Sequence, residues 1–216
     1  MTSWLLLQLV DGAFPSGGFA HSAGLEPSLH LRGVGDLEPF VDEALWQTGR
    51  SALPFVRRAC EASADLAALD ALFDASCTSH VQNRASRAQG RSLAGAAARV
   101  FEQEPGVKAL GEHAQRGPAH HAVVFGALFG TLGMSANDAQ AAWLHGVLRS
   151  VLSAAVRLGV VGPLEAQQIH ASRARVLGEI LASCGDLDVM ETASTAPLLE
   201  LFGALHDRLD GRLFQS

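Results

Sequence analysis

The sequence predicts an all-α, single-domain bundle of about eight to ten helices with little or no strand. Three observations lead there. Apolar residues recur at three- and four-residue spacing along most of the chain, and no run alternates apolar and polar residues between turn signals. Proline and glycine cluster where those periodic stretches begin and end, as helix boundaries require. The 216 residues, 48% hydrophobic and 18% charged, suit one globular unit over residues 1–216 that buries a core without staples.

The elements follow in order. Residues 3–10 are apolar enough for one or two helical turns, and residues 11–22, rich in Gly and Pro, form an ordered loop. A short helix over 22–31 carries Pro27. Asp36 caps a helix to about Thr48, with Pro39 tolerated in its first turn and Gly49 as its stop. Pro54 opens a helix to about Ala62, and Asp65 starts another with Leu66, Leu69, Leu72 and Phe73 on one face. A long helix over 80–104 stops at Pro105-Gly106, and helices over 107–115 and 119–133 follow. Gly126, Gly130 and Gly133 predict close helix contact, because each interior glycine otherwise costs about 1 kcal/mol relative to Ala. The clearest helix is 137–159, with Leu144, Val151 and Leu158 every seven residues and Ser135 and Asp138 as a capping-box pair. Gly159 and Gly162 close it, Pro163 begins a helix to about Ser183, and a last helix runs over 197–209 before the tail 210–216.

Bulk properties narrow the function. A net charge of −6 argues against nucleic acid as a partner. Cys60, Cys77 and Cys184 lie far apart without a CxxC pair, which fits a reducing compartment and a cytoplasmic location. The run from Trp4 to Val10 is broken by Gln8 and lacks a basic leader, so a secretory signal is not expected. Residues 117–137 carry no acid, Lys or Arg, but their apolar part, 122–134, is too short for a bilayer and reads as a core helix.

Two catalytic motifs are incomplete. Residues 20–24 approach a nucleophile elbow around Ser22, yet no strand precedes them and the first position is Ala20; Ser22 reads better as a cap for the following helix. Residues 12–19 have two-glycine spacing without the Lys and Ser/Thr of a phosphate loop, so the glycines read as positive-φ positions. The nine histidines contain no H-x-x-x-H pair, and His120 and His121, about 100° apart on a helix, do not grip one ion. Asn83, Arg84, Arg87 and Arg91 share one side of the long helix, either as a solvated face or as a surface for an acidic partner. The tail holds Arg212, Leu213 and Phe214, and either docks on the core or waits for a partner.

Residues 5–26, LLLQLVDGAFPSGGFAHSAGLE, resemble the signature of the UreF family of urease accessory proteins. Three further blocks agree in order: Ala85 to Gly90 with the family's mid-chain AS-x-x-x-G helix, His121 to Gly133 with its glycine-spaced stretch, and His206 to Ser216 with its HE-x-x-YSRLF-x-S tail. The sequence departs from the pattern at 160–167, at Asp207, at Asp210-Gly211, and at Val81 and Asn83. The resemblance implies an all-α, dimerising scaffold and not an enzyme. It implies partners as well: the accessory protein UreD (also called UreH), the GTPase UreG and, through the complex, apo-urease. The chain itself would need no cofactor, nickel being handled by the complex and GTP by UreG. It would act as a co-chaperone that bridges these partners and regulates GTP-dependent nickel insertion, without membrane or nucleic acid. The matched blocks imply assembly residues Phe19, His21, Ser22 and Glu26 in the loop and Arg212, Leu213 and Phe214 in the tail, and the arginine face of the long helix adds Arg84 and Arg87 as candidate partner contacts. The alternative reading is a nickel-binding or nickel-storage protein using scattered histidines.

Overall fold

Residues 122–129 carry no polar side chain, and in the helix they form all but the half-buried Phe125 are buried. The computed structural model describes residues 4–32, 36–61 and 64–215, without the side chains of Phe19 and Arg32. Among them the chain forms twelve α-helices and no strand. They are α1 (Trp4–Val10), α2 (Leu25–Arg32), α3 (Leu37–Ser51), α4 (Leu53–Cys60), α5 (Leu66–Ser76), α6 (His80–Val100), α7 (Pro105–Arg116), α8 (His121–Thr131), α9 (Ala136–Arg157), α10 (Pro163–Ser172), α11 (Ala174–Cys184) and α12 (Pro197–Ala204). Three 3-10 turns, Gly18–Ala20, Val189–Glu191 and His206–Arg208, complete the described elements.

The buried apolar side chains form one cluster that runs from Leu9 to Phe214. Its centre is α8, which packs on α4, α6 and α9. Gly126 and Gly130 let α8 lie directly on α4: a methyl group at either would collide with the carbonyl of Val56 or Cys60. That is the close contact the sequence predicts for these two positions. Gly133 differs, because it adopts φ +77° in the turn after α8 and has open space around it.

The predicted caps form as side-chain acceptors. Asp36 receives the Glu38 N–H at 3.2 Å, Asp65 the N–H groups of Ala67 and Ala68 at 3.1 Å, and Ser135 the Asp138 N–H at 3.1 Å. The Asp138 carboxylate accepts from the Ser135 hydroxyl at 2.7 Å and not from the Ser135 backbone N–H, so the reciprocal capping box is absent there. The full box forms at Asp188 and Glu191 instead.

Several boundaries correct the sequence reading: α6 stops at Val100 and α12 at Ala204, short of the expected 104 and 209. Gly49 does not end its helix: α3 continues to Ser51, and Gly49 is buried where a methyl group would strike Ile180 of α11. The helix expected over 163–183 is two, broken at Arg173. No proline or glycine marks this break. The nearly buried Arg173 guanidinium turns inward to Asp42 at 2.8 Å and Glu38 at 2.6 Å on α3, so an ion cluster fixes the corner. The break adds a helix, and the twelve described helices exceed the expected eight to ten. The expected stop of the fourth helix near residue 62 lies outside the described residues.

Candidate functional site

The loop after α1 is built from local bonds and tethers. Asp11 accepts the Ala13 N–H at 2.8 Å, and its carbonyl accepts the Phe14 N–H at 3.1 Å. Arg149 of α9 donates to the Val10 carbonyl at 3.1 Å, and Ser92 of α6 donates to the Pro15 carbonyl at 3.3 Å. Of the loop glycines expected at positive φ, Gly17 alone takes it, at +79°, and starts the 3-10 turn; Gly12 and Gly18 do not. Ala23 and Gly24 are both left-handed, at φ +54° and +84°, and their bend sends α2 back into the molecule. The first turn of α2 thereby carries Glu26 inward, where it is 1% exposed.

Glu26 is the junction of the two chain ends. Its Oε1 accepts the Leu213 N–H at 2.6 Å, and its Oε2 accepts the Phe214 N–H at 3.2 Å. The buried His206 places Nε2 3.1 Å from the same Oε2. The Gln215 N–H donates to the Ala20 carbonyl at 2.8 Å, so the loop grips the tail at two points. Phe214 is buried, with the Arg157 guanidinium 4.2 Å above its ring. Of the two fates the sequence leaves open for the tail, docking on the core is the one adopted. Residue 216 lies outside the described residues.

Beneath the loop and the tail is a cavity of about 750 Å³. Its walls include Gly17, His21, Ser86, His121, Trp143 and Phe214. Burial, reinforced by the nearby His206, pushes the His21 imidazole below its ordinary value. Burial and the neighbouring His21 bring His121 down to about 4. The His121 ring meets Trp143 at a 52° tilt, centroids 4.9 Å apart, and the Trp143 indole donates to Thr48 at 2.9 Å.

A second polar knot lies beside the first. Asp74 of α5 accepts from Asn83 at 2.9 Å, faces His120 Nε2 at 3.0 Å and pairs with Arg87 at 2.5 Å; these bonds, Asn83 first, hold its carboxyl at about 2. The fully buried Asp70 accepts the N–H groups of Ala119 and His120, at 3.1 and 2.8 Å, and faces His113 at 2.6 Å. The carboxylate thus serves the donors at the start of α8, which has no side-chain cap of its own. Ser86, His120 and Asp74 stand in hydrogen-bonded series, but Ser86 also accepts the His121 N–H at 3.2 Å and so helps hold α8 in place.

The expected assembly residues divide. Glu26, Leu213 and Phe214 meet at the loop–tail junction, His21 lies on the adjoining cavity wall, and Arg212 turns instead to Asp207. Ser22 is fully buried just before α2 and no strand precedes it, so the elbow context is missing among the described residues. Arg84 reaches the same end indirectly: it donates to both oxygens of Asp207, at 2.8 and 3.0 Å, and Arg212 donates to Asp207 at 3.0 Å. Arg87 does not join them, being turned to Asp74. The Phe19 side chain lies outside the described residues. The site also depends on His206, Asp207 and Asp74, which the motif reading does not single out; the block from His206 to Ser216 contains the only signal for the first two.

Comparison with known proteins decides the family. A UreF family model matches residues 31–174. The chain belongs to the UreF family. It is 38% identical to urease accessory protein F of Arabidopsis thaliana over 223 residues, covering 99% of this chain and 92% of that protein. Urease accessory protein F of Oryza sativa subsp. indica is 35% identical over 219 residues, 98% of this chain and 84% of that protein. UreF of Trichodesmium erythraeum is 27% identical over 221 residues, 97% of this chain and 94% of that protein. Each alignment covers at least 97% of the chain, so it reaches the loop at residues 11–26, which lies outside the span matched by the family model.

Proposed function

We propose that this chain, acting as one domain over residues 1–216 in the cytoplasm, serves urease maturation as a non-catalytic co-chaperone. In this reading it dimerises, bridges UreD/UreH and UreG, and regulates the GTP-dependent delivery of nickel to apo-urease. Nickel is cargo of the complex and GTP belongs to UreG. UreF membership supports the pathway. The observation that supports a scaffold is the junction at Glu26, where one buried carboxylate holds the tail's backbone against the signature loop. Such a contact orders a terminal segment without supplying a nucleophile, and terminal segments that order and release are a known means of conditional assembly.

Exposed apolar groups lie close by. Helix α2 packs on α12, and these helices leave Leu31, Leu198 and Leu201 exposed, with Leu213 exposed on the tail. Apolar side chains at one end of a molecule suit a protein partner. Among the described residues no helix is long and apolar enough to cross a membrane, and no group of three His, Cys, Asp or Glu side chains is arranged to hold a metal ion.

Co-expression with UreD and UreG tests the proposal. The full-length chain is expected to co-purify with both, and deletion of residues 212–216 is expected to lose UreD while the remaining fold stays intact by circular dichroism. Full retention of UreD after the deletion would remove the tail from the interface. Tight nickel binding by the isolated chain in calorimetry would favour a nickel-storage role over the scaffold.

A further inference from the structure

Arg84, Arg87 and Arg91 line a second, open pocket of about 480 Å³ together with His80, Asn83, Cys77 and Thr78. On one helix face these arginines span seven residues, roughly 10 Å at 1.5 Å per residue. Their charges are unequally satisfied. Arg84 is held by Asp207 and Arg87 by Asp74, whereas Arg91 donates to the Gly117 carbonyl at 3.3 Å and forms no ion pair among the described residues. The Arg87 Nε is buried and has no hydrogen-bond partner among the described residues. The pocket therefore holds more cationic donors than its own acids use. Glu200, the other carboxylate nearby, is occupied by Thr78 at 3.1 Å and Gln47 at 2.6 Å.

Asp207 shows what the pocket accepts. Its carboxylate receives two bonds from Arg84 and one from Arg212, and His80 stands 3.5 Å away. It is an internal ligand borne on the segment that leads into the tail. We infer that this pocket is a docking site for an acidic segment of a partner protein, whose carboxylates pair with Arg91 and displace Asp207 from Arg84, loosening the tail. An extended segment with acids at alternate residues has the required span, since five residues place three like-facing carboxylates across roughly 13 Å. Paired guanidinium–carboxylate contacts give such a site its preference for carboxylates. The inference deepens the scaffold reading by naming a partner's chemistry. Its test uses this chain alone, so a failed co-purification with UreD or UreG would leave it standing.

The probe is a fluorescein-labelled peptide, Gly-Glu-Ser-Glu-Ser-Glu-Gly, with its Gln counterpart as control, followed by fluorescence anisotropy on the full-length protein. The Glu peptide is expected to bind at least tenfold more tightly than the Gln peptide, and Arg91→Ala to weaken it about fivefold. Asp207→Asn removes the internal competitor and is expected to tighten binding about fivefold. Asp210→Asn makes the same change of charge nearby, where no ion pair involves Asp210 among the described residues, and is expected to leave binding unchanged. Saturating peptide is expected to speed hydrogen exchange at the Leu213 and Phe214 amides at least threefold. Equal binding of the two peptides would overturn the site, and so would equal effects of Asp207→Asn and Asp210→Asn. Full displacement of the peptide by low-millimolar inorganic phosphate would reassign the pocket to a small anion. Unchanged tail exchange at saturation would overturn the coupling to the tail.

Discussion

The contact between α4 and α8 and the contact between the loop and the tail both join distant parts of the chain, but by different forces. Between the helices, Gly126 and Gly130 bring backbones together and surround them with apolar side chains such as Phe55, Val56, Leu128 and Phe129. Between loop and tail, one carboxylate meets two N–H groups and an imidazole, with Phe214 as the single large buried side chain of the tail. Apolar packing of the first kind gives way only when the fold does. The second kind rests on a few bonds over a few residues, and segments of that sort open at lower free energy than the core. The difference separates a frame from a releasable part within one molecule.

The comparison is broken most severely at Gly126. Gly126→Val drives a side chain into the Val56 carbonyl and is expected to cost about 3 kcal/mol or more, read as a lowered urea midpoint. Gly178→Ala is its control: Gly178 lies in α11 with open space where the methyl goes, and it should stabilise by about 0.5–1 kcal/mol. If both glycines behave alike, contact is not what holds α8 on α4. Glu26→Ala attacks the other region. It strands the Leu213 and Phe214 amides, with an expected cost of about 1–3 kcal/mol expressed as faster exchange at those amides. Exchange in α4 and α8 should stay slow. A collapse of protection in the core as well would show that frame and tail are not separable.

Acid sharpens the same distinction. His121 titrates near 4 in the folded protein against an ordinary 6.5. The unfolded chain therefore takes up this proton first, and stability falls as pH drops from about 6.5 towards 4. His121 is only partly buried, and solvent screening moderates the effect to roughly 2 kcal/mol. His121→Asn is expected to flatten that part of the stability–pH curve. Asp74, held at about 2, acts lower: its contribution is complete above the ordinary carboxylate value of 3.8 and is lost as pH falls from there towards 2. An unaltered slope between pH 6.5 and 4 in the His121 variant would place the acid sensitivity elsewhere.

The frame was more legible in the sequence than the junction. Asp36, Asp65 and Ser135 act as caps because capping is local, its acceptor lying two or three residues from its donor. The glycine spacing at 126 and 130 likewise announces close packing, although nothing in it names α4 as the neighbour. Gly49 misled, since a glycine that ends a helix and one that admits a facing side chain look the same in sequence. The break at Arg173 had no local signal, because the acids that fix it lie on α3, more than a hundred residues earlier. Glu26 and Phe214 were each visible through the family pattern, but their meeting across 188 positions was not. Asp70 and Asp74 read as ordinary polar positions of an amphipathic helix, and only folding shows them holding the start of α8 and the arginine face.

The smallest expected effect lies at the link between the two regions. Arg84 belongs to α6, a helix of the frame, and Asp207 to the segment that leads into the tail. Both side chains are substantially exposed, so water and salt screen the pair, and such contacts are worth about 0.5 kcal/mol. Arg84→Gln should therefore leave the urea midpoint almost unchanged. Its effect should appear locally, as exchange at the Leu213 and Phe214 amides about twofold faster in low salt. The difference should vanish near 1 M salt, where the screening length falls to about 3 Å. A salt-independent change would mean that Arg84 acts through packing of its aliphatic stem. A loss of global stability above 1 kcal/mol would mean that the tail is part of the frame after all, because a surface ion pair does not supply that much.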